Sequence, residues 1–418
     1  MNILMISELY KFGGASEVME ILAKGMEENG HKVILLYGYN YENHPFSSGS
    51  YIMFGNVFLR KINNRLRYYM EKYNLRNIYA ESYLNRIIKK HKIDIVHFHA
   101  MQGGFLYINA ISDICKKYNI IWTIHDTWPF TGGCMYYWNC RSWKSDGCTA
   151  CKDSNLQMSY KNTAVNLMRK KMSLEGKGIH FVTPSKWMQE NVLQSFLKEE
   201  QIRRVANGID LQVFKPLPNT NDLRIKYGLS ANKKILMFSS GSVLNKYKGW
   251  NCLISALTQL SNHCQYELLI VGKEDSEINC LGFSVIRTGF VEQKECLNEL
   301  YNAADLFIIP SLQDNFPTVA LEAQAAGTPV LAFATGGISE QITPQTGWLV
   351  RSADALSLKD EIEHIFHGED WQSILSKKGK MARKRCEQLY DRRLMTQKYE
   401  KIYIEKAAYE KGTSFHKR

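Results

Sequence analysis

Short, apolar-rich runs alternate with amphipathic, helix-favouring segments along almost the whole chain. These runs fall at 2–7, 31–37, 94–100, 120–124, 179–183, 234–239, 267–271, 306–309 and 330–333. Apolar runs of this length, separated by helical patterns, are typical of parallel strands that are buried on both faces. The 418-residue chain is also long enough for about two or three domains. The pattern therefore predicts an α/β protein built from doubly wound, Rossmann-like parallel sheets.

The stretch 306–333 shows this alternation most clearly. Its first apolar run stops at Pro310, and a polar loop containing Asp314 follows. Pro317 suits the first position of a helix, and Gly327 suits the end of that helix. The order strand, loop, helix, strand predicts a βαβ unit. The loop of such a unit lies at the carboxyl edge of a parallel sheet, where ligands bind.

Two carboxylates in this unit are candidates for ligand binding. Asp314 lies in the loop and Glu322 lies eight positions later, in the second turn of the predicted helix. Both side chains can therefore face one ligand near the helix N-terminus, whose amide groups and dipole favour an anion such as a diphosphate. Carboxylates can also accept hydrogen bonds from sugar or ribose hydroxyls. The alternative is a loop aspartate that caps the helix and a solvated helical glutamate.

Other candidate residues follow predicted strands. Lys248 comes shortly after the run 234–239 and supplies a cation suited to phosphate oxygens. His125 directly follows the run 120–124, although a hydrogen-bonded structural histidine would fit there too. His97 and His99 are predicted to be structural. The N-terminal turn contains Gly13-Gly14 and lacks the G-x-G-x-x-G fingerprint, which disfavours nicotinamide binding.

Four cysteines lie close together in sequence after His125. Cys134, Cys140, Cys148 and Cys151 are separated by five, seven and two residues. Four thiolates suit a closed tetrahedral zinc site, which would be structural. The spacing predicts a structural zinc or a redox-sensitive cluster in a cysteine-rich insertion near 132–152, with four free thiols around an aromatic mini-core as the alternative. Ten cysteines in a chain of this length do not indicate a disulfide scaffold.

The chain is basic, with a formal net charge of +12 and a pI of about 9.0. Lysines and arginines, interleaved with tyrosines, concentrate in residues 56–92. Such helices can contact an anionic membrane surface, although a solvated face beside an ordinary core stripe is the commoner outcome. No nucleic-acid-binding module accompanies the charge, so nucleic acid is not predicted as a partner.

No apolar run approaches the ~20 residues of a membrane span, and Met1–Ser7 resembles a first strand more than a signal peptide. The predicted location is the cytoplasm, with possible peripheral contact at the inner face of the membrane.

Several of these motifs resemble those of the retaining family-four glycosyltransferases. Asp314 and Glu322, followed by Gly327-Thr328-Pro329, are similar to the family's E-x7-E region, with Asp in place of the usual first Glu. Asn315-Phe316-Pro317 stands where many members have a Gly-Phe-Gly loop. The segment 205–216 resembles the family's passage between domains, and Lys248-Gly249 matches its diphosphate-contacting lysine. Many members also carry an arginine earlier in that loop, for which Lys246 is the available substitute.

The resemblance implies the GT-B fold, in which two Rossmann-like domains face a cleft. It implies an acceptor-binding domain at 1–208, a nucleotide-sugar-binding domain at 209–392 and a helix at 393–418 that returns to the first domain. It also implies that His125, Lys248, Asp314 and Glu322 are catalytic. The implied donor-binding residues are Gly13, Gly14, Gly241, Lys246, Lys248, Gly289, Phe290, Val291, Asn315, Phe316, Pro317, Thr318 and Glu322.

The implied function is retaining transfer of a sugar from a UDP- or GDP-sugar to a glycan or lipid-linked acceptor. Cell-surface polysaccharide biosynthesis, such as capsule or exopolysaccharide assembly, is the expected setting, and no cofactor is expected to be required for catalysis. Two alternatives remain open at this stage. One is a GT-B enzyme of another reaction type, such as a phosphorylase or an inverting transferase. The other is a noncatalytic basic protein that docks on membrane or nucleic acid.

Overall fold

The computed structural model describes residues 1–10, 13–39, 51–54, 62, 78–102, 106–152, 162–242, 245–273 and 282–413. The chain divides into two compact units. The first comprises Met1–Ala206 together with Met395–Arg418, and the second comprises Asn207–Leu394. The division after Ala206 lies two residues before the boundary expected from the sequence.

The first unit is built around a seven-stranded sheet in which every pair of neighbouring strands is parallel. The strand order is β3-β2-β1-β4-β5-β6-β7. The strands are β1 (Asn2–Leu9), β2 (Lys32–Tyr39), β3 (Tyr51–Met53), β4 (Ile95–Phe98), β5 (Asn119–Thr123), β6 (His180–Thr183) and β7 (Gln201–Arg204). The helices are α1 (Gly14–Glu28), α2 (Ile78–His91), α3 (Ile108–Cys115), α4 (Ser142–Ser145), α5 (Thr163–Leu174) and α6 (Lys186–Leu193).

Alternating side chains of the central strands divide this unit's core into two layers. Leu4 and Ile6 of β1 belong to one buried cluster, whereas Ile3 and Met5 belong to the other. Successive strand side chains point to opposite faces, so an apolar run without polar gaps indicates a sheet covered on both sides. Thr123, the last residue of β5, is nevertheless polar and fully buried.

The second unit contains a six-stranded parallel sheet with the order β10-β9-β8-β11-β12-β13. Its strands are β8 (Lys234–Ser242), β9 (Tyr266–Lys273), β10 (Ser284–Arg287), β11 (Leu306–Ile309), β12 (Val330–Phe333) and β13 (Gly347–Val350). Its helices are α7 (Thr220–Lys226), α8 (Trp250–Leu257), α9 (Lys294–Ala303), α10 (Thr318–Ala326), α11 (Ile338–Gln341), α12 (Ala355–Ile365) and α13 (Trp371–Leu389).

The last helix, α14 (Arg392–Thr413), packs almost entirely on the first unit. Its buried side chains Met395, Tyr399 and Tyr403 belong to the same apolar cluster as β1 and α1. On its polar side, Glu400 accepts a hydrogen bond from Asn29. No described helix in either unit is long and apolar enough to span a membrane.

Candidate active site

The strand order of the second unit creates a point where the two halves of the sheet diverge. β8 leads to β9 and β10 on one side, whereas β11 leads to β12 and β13 on the other. β8 and β11 are paired in parallel at Leu306↔Leu236, so their carboxyl ends lie next to each other. Ligands of open α/β sheets bind at such a switch point. The two loops that follow β8 and β11 carry the candidate residues of this unit.

These two loops are in direct contact. Lys248 Nζ lies 2.6 Å from Asp314 Oδ2, which makes a charge-assisted hydrogen bond. Leu312 N donates to Tyr247 O at 2.8 Å. A Cβ atom on Gly249 would lie 1.7 Å from Pro310 O, and Gly249 has a φ of +73°. Only glycine permits both this backbone conformation and this close approach. The structure therefore brings together two candidate catalytic residues that lie 66 positions apart.

The loop after β11 is held on several sides by residues of its own unit. Asn207 Nδ2 donates to Phe316 O at 3.0 Å, and Gln341 Nε2 donates to Pro317 O at 3.0 Å. Gly337 N donates to Asp314 O at 3.1 Å. A Cβ atom on Gly336 would lie 1.9 Å from the same oxygen. These contacts fix the backbone beside Asp314, as a preorganised binding loop requires.

Helix α10 begins at this loop. Pro317 is its N-cap residue and not the first helical residue that the sequence predicted, so the helix begins at Thr318. The N-cap has no side-chain hydrogen bond to the first turn. Asn315, Phe316 and Thr318 are all buried. The first amide groups of a helix have no intrahelical acceptors and favour an anionic partner.

Glu322 lies in the second turn of α10 and is 2% exposed. Its Oε2 accepts a hydrogen bond from the hydroxyl of Tyr301 at 2.8 Å. The Tyr301 ring is itself fully buried and packs edge-on against Phe307 of β11. Burying a carboxylate is costly unless it is hydrogen-bonded, so Tyr301 contributes directly to holding Glu322 in place. Nothing in the sequence singles out Tyr301, which lies within an ordinary amphipathic helix, α9.

The remaining donor-binding candidates of the second unit lie around the same carboxyl edge. Gly241 follows the buried part of β8, and Gly289 follows β10. Gly289 O accepts a hydrogen bond from Gly272 N at 2.9 Å, which ties β10 to the end of β9. Phe290 is 49% exposed. Lys246 is exposed, and its Nζ lies 5.2 Å from the centroid of the Tyr247 ring.

In the first unit, His125 follows β5 at the carboxyl edge of the sheet, where the sequence placed it. Its Nε2 atom lies 3.1 Å from His99 Nδ1. His125 keeps some exposure, but burial of the ring lowers its pKa to about 4. The neutral imidazole is therefore the form present near pH 7.

Asp126, the next residue, organises the loop after β5. Its Oδ1 accepts from Trp128 N at 2.8 Å, and its Oδ2 accepts from Gln102 Nε2 at 2.8 Å. Lys170 is fully buried and donates from Nζ to the carbonyl oxygen of Thr131 at 3.0 Å, with the Trp128 ring centroid 3.6 Å away. Burial raises the pKa of Asp126. Its two hydrogen bonds and the nearby Lys170 oppose this rise without cancelling it. Neither Asp126 nor Lys170 was a candidate from the sequence.

The glycine pair of the first unit lies at the start of α1. Gly13 is the N-cap residue, with a φ of +78°, and Gly14 is the first helical residue. Both are exposed, and β1 ends just before them at Leu9. This location, at the carboxyl edge of the central strand, is compatible with the expected close approach of a ligand to the backbone.

The four cysteines are all described, and all are free thiols. Cys148 is buried and Cys140 is exposed. Burial and the neighbouring thiols Cys148, Cys151 and Cys140 raise the pKa of Cys134 to about 12. Among the described residues, no group of three or more His, Cys, Asp or Glu side chains is arranged to hold a metal ion. The zinc site stays a prediction, and metal analysis of the purified protein would test it.

Comparison with known proteins identifies the family. Residues 12–213 match the family description Glycosyltransferase Family 4, and residues 219–382 match Glycosyl transferases group 1. The chain belongs to the family-four glycosyltransferases. It is therefore an enzyme that transfers glycosyl groups, and the noncatalytic docking protein considered above is excluded as the main function.

Individual relatives of this glycosyltransferase agree with that assignment. It is 25% identical over 297 residues to the putative colanic acid biosynthesis glycosyl transferase WcaC of Escherichia coli, covering 66% of this chain and 69% of that protein. It superimposes on sucrose-phosphate synthase of Thermosynechococcus elongatus with a TM-score of 0.72, 20% identity and coverage of 98% and 100%. For HepE of Anabaena in complex with UDP-glucose, the TM-score is 0.69, the identity 17% and the coverage 97% and 100%. The predicted GT-B fold is confirmed.

Proposed function

We propose that this glycosyltransferase moves a sugar from a UDP- or GDP-sugar to a glycan or lipid-linked acceptor, with retention of anomeric configuration. The observation that carries the proposal is the Lys248–Asp314 pair at the switch point of the second sheet, beside the N-terminus of α10. UDP-glucose in the Anabaena neighbour supports a nucleotide-sugar donor. The name of the E. coli relative supports a role in cell-surface polysaccharide biosynthesis.

Each residue of this proposed donor site has a separate task. Lys248 and the amide groups at the start of α10 would stabilise the diphosphate as negative charge develops on it. An ammonium group has three N–H donors, so Lys248 can hold Asp314 and a phosphate oxygen at the same time. Asp314 would accept hydrogen bonds from the hydroxyls of the donor sugar, and Glu322 from those of the ribose. In the first unit, His125 is proposed to contact the donor sugar.

The proposed reaction is a same-face substitution at the anomeric carbon. The bond from that carbon to the diphosphate oxygen breaks, and the bond to the acceptor hydroxyl oxygen forms on the same face of the sugar. The acceptor's proton passes to the departing phosphate oxygen. Lys248 matters most in this scheme because the leaving group gains negative charge in the transition state.

A panel of UDP-, GDP- and ADP-sugars tests the donor proposal. We expect one nucleotide sugar to raise the melting temperature of the purified protein and to be hydrolysed slowly without acceptor. Binding at about 100 times the Kd would stabilise the fold by about 2.7 kcal/mol, which a thermal-shift assay detects easily. If the purified protein neither binds nor hydrolyses any nucleotide sugar of the panel, the proposal is contradicted.

The stereochemical part needs the identified donor and an acceptor. The anomeric configuration of the product, read by NMR, separates a retaining from an inverting transferase. Donor cleavage that depends on inorganic phosphate would instead indicate a phosphorylase. An inverted product or phosphate-dependent cleavage would each replace the proposed reaction while leaving the nucleotide-sugar site in place.

We also propose that the protein contacts the inner face of an anionic membrane through its basic N-terminal region. Most of the predicted region 56–92 lies outside the described residues, which include its last part, helix α2. A cleft of about 880 Å³ beside α2 is lined by four cationic side chains and no carboxylate: Arg86, Lys89, Lys90 and Lys117. Ile78, at the start of the helix, is 71% exposed. Basic clefts with nearby apolar side chains suit anionic headgroups.

Co-sedimentation with vesicles containing phosphatidylglycerol tests this contact. Each basic residue near the surface contributes about 1 kcal/mol, so the double variant Lys89→Glu/Lys90→Glu is expected to bind at least about tenfold more weakly. The same charge change on α13, Lys377→Glu/Lys380→Glu, is the matched control and should leave binding unchanged. Equal loss in both variants, or no binding by the unaltered protein, would exclude a membrane site at α2.

A further inference from the structure

Three histidines form a row at the carboxyl edge of the first unit's sheet, and two of them are buried. His97 and His99 lie at and just after the end of β4, and their ring centroids are 4.1 Å apart. His99 and His125 are stacked, with ring centroids 5.3 Å apart and planes tilted by 21°. His97 and His99 are completely or almost completely buried. Because β4 and β5 are paired in parallel, residues that follow the two strands are brought side by side.

The hydrogen bonds of this row differ between its two buried members. His97 uses both ring nitrogens, with Nδ1 2.7 Å from the Tyr403 hydroxyl and Nε2 2.8 Å from Thr123 Oγ1. His99 uses only Nδ1, which lies 3.1 Å from His125 Nε2. Its other nitrogen, Nε2, is buried and has no hydrogen-bond partner within the part of the chain that the structure describes.

We propose that His99 is a positioning residue that holds His125 in the tautomer protonated on Nδ1, so that His125 acts toward a bound sugar as a hydrogen-bond donor and not as a base. This inference rests on the proposed function only in assigning the sugar as the partner of His125. The contact between the two rings, the burial of His99 and the partnerless Nε2 atom carry the rest.

The number of ring protons decides the direction of the hydrogen bond between His99 and His125. A neutral imidazole has one N–H donor and one bare acceptor nitrogen, so only one proton lies between His99 Nδ1 and His125 Nε2. If His125 donated it, neutral His99 would carry its own proton on Nε2, where no described group accepts it. A buried N–H without an acceptor is rarer and more costly than an under-used acceptor. His99 therefore donates from Nδ1, and His125 keeps its proton on Nδ1.

The same arrangement opposes protonation of His125. A second proton on His125 would have to occupy Nε2, facing the N–H of His99. His99 could accept it only by moving its own proton to the buried Nε2 atom. Burial, together with His97 and His125, holds the pKa of His99 well below its usual value. His99 therefore does not take up the extra proton either. Among the described residues, the other titratable groups near this edge include Asp126 in the same loop, Glu8 of β1, whose carboxylate accepts from Gln102 N, and Lys170 of α5.

Two substitutions at one position separate donation from packing. His99→Phe keeps a planar ring of similar size but removes the donor. His99→Asn loses ring packing but places an amide N–H close to the position of Nδ1. If His99 only fills space, His99→Phe should disturb His125 less than His99→Asn does. If His99 donates a hydrogen bond to His125, His99→Asn should disturb it less. His180→Gln, at the start of β6 and the opposite edge of the same sheet, is the control.

The readout is the ring nitrogen spectrum of protein labelled with ¹⁵N-histidine, which needs neither donor nor acceptor. His125 is identified by the signal that disappears in His125→Gln. In the unaltered protein we expect Nδ1 protonated and Nε2 bare. In His99→Phe we expect both tautomers and a pKa of His125 that rises by about one pH unit, because a hydrogen bond to the neutral form is lost. His99→Asn and His180→Gln should keep the original tautomer.

Protonation of His125 on Nε2 in the unaltered protein would overturn the proposal, and so would an unchanged spectrum in His99→Phe. If His99→Phe does not fold, the tautomer in the unaltered protein and in His99→Asn still decides. Because the spectrum is recorded on the free protein, failure here is distinct from failure of the nucleotide-sugar panel. An active enzyme with the opposite tautomer would refute only the role of His99.

Discussion

Replacing Lys248 with methionine is expected to lower donor turnover by about 10²- to 10³-fold, the usual effect of removing one group that stabilises developing negative charge. Methionine keeps an unbranched stem but has no charge to offer the diphosphate. The effect should appear mainly in kcat, because the charge on the leaving oxygen grows in the transition state. Hydrolysis of the donor identified by the panel, measured over a range of donor concentrations, gives both constants.

The partner of Lys248 complicates a simple activity measurement. Asp314 is largely buried, and removing Lys248 leaves its carboxylate without that cation, which costs stability. Turnover must therefore be expressed per folded molecule, with the folded fraction taken from urea unfolding. Lys377→Met, on the exposed face of α13, is a control for loss of a lysine in the same unit. A Lys248→Met enzyme that is less stable but fully active per folded molecule would show that the pair only ties the two loops together.

Asp314 offers a second way to separate these roles. Asp314→Asn keeps an oxygen acceptor for a sugar hydroxyl but weakens the bond to Lys248. If the aspartate works mainly through Lys248, combining both substitutions should cost little more than Lys248→Met alone. If it binds the sugar independently, the two losses should add. This double-mutant cycle shows whether Lys248 and Asp314 act together in one function or separately in two.

The local course of the chain around Asp314 was predictable because its signals are local. Pro310 cannot extend β11 in the interior of a sheet, and Gly327 has the left-handed conformation, with a φ of +84°, that ends α10. The resulting elements, Leu306–Ile309, Thr318–Ala326 and Val330–Phe333, lie where these residues indicate. The sequence could also locate His125, since it directly follows the apolar run 120–124, and β5 ends at Thr123, two residues before it.

The contacts between distant residues were not predictable from a single sequence. Lys248 meets Asp314 only because β8 and β11 are neighbours in the sheet, and that order is a property of the whole unit. The pairing of His99 with His125 depends in the same way on β4 and β5. Lys170, between Arg169 and Lys171, reads as part of a solvated basic face, yet it is fully buried. Its position is decided by the carbonyl groups of a loop that lies about forty residues earlier.

Glu322 gives the other large expected effect. Glu322→Ala should leave no measurable turnover at donor concentrations that saturate the unaltered enzyme, and Glu322→Gln should lower kcat/KM by about 10²- to 10⁴-fold. Each hydrogen bond to a charged group contributes about 1.5–3 kcal/mol, and the proposed carboxylate serves two ribose hydroxyls. Ribose contacts are alike in the bound substrate and the transition state, so the loss should appear mainly as a higher KM.

The hydrogen bond from Tyr301 makes it possible to test whether Glu322 has a purely structural role. Tyr301→Phe removes the hydroxyl that donates to Glu322 but keeps the ring that packs against Phe307. If Glu322 serves only to satisfy that hydroxyl, Glu322→Gln and Tyr301→Phe should each lower the free energy of unfolding and leave turnover per folded molecule unchanged. If Glu322 binds the ribose, Tyr301→Phe should cost about tenfold at most, because the carboxylate remains and is only less firmly held. A large loss confined to the Glu322 variants would therefore place the carboxylate on the substrate, whereas near-normal activity in Glu322→Gln would exclude it from the donor site.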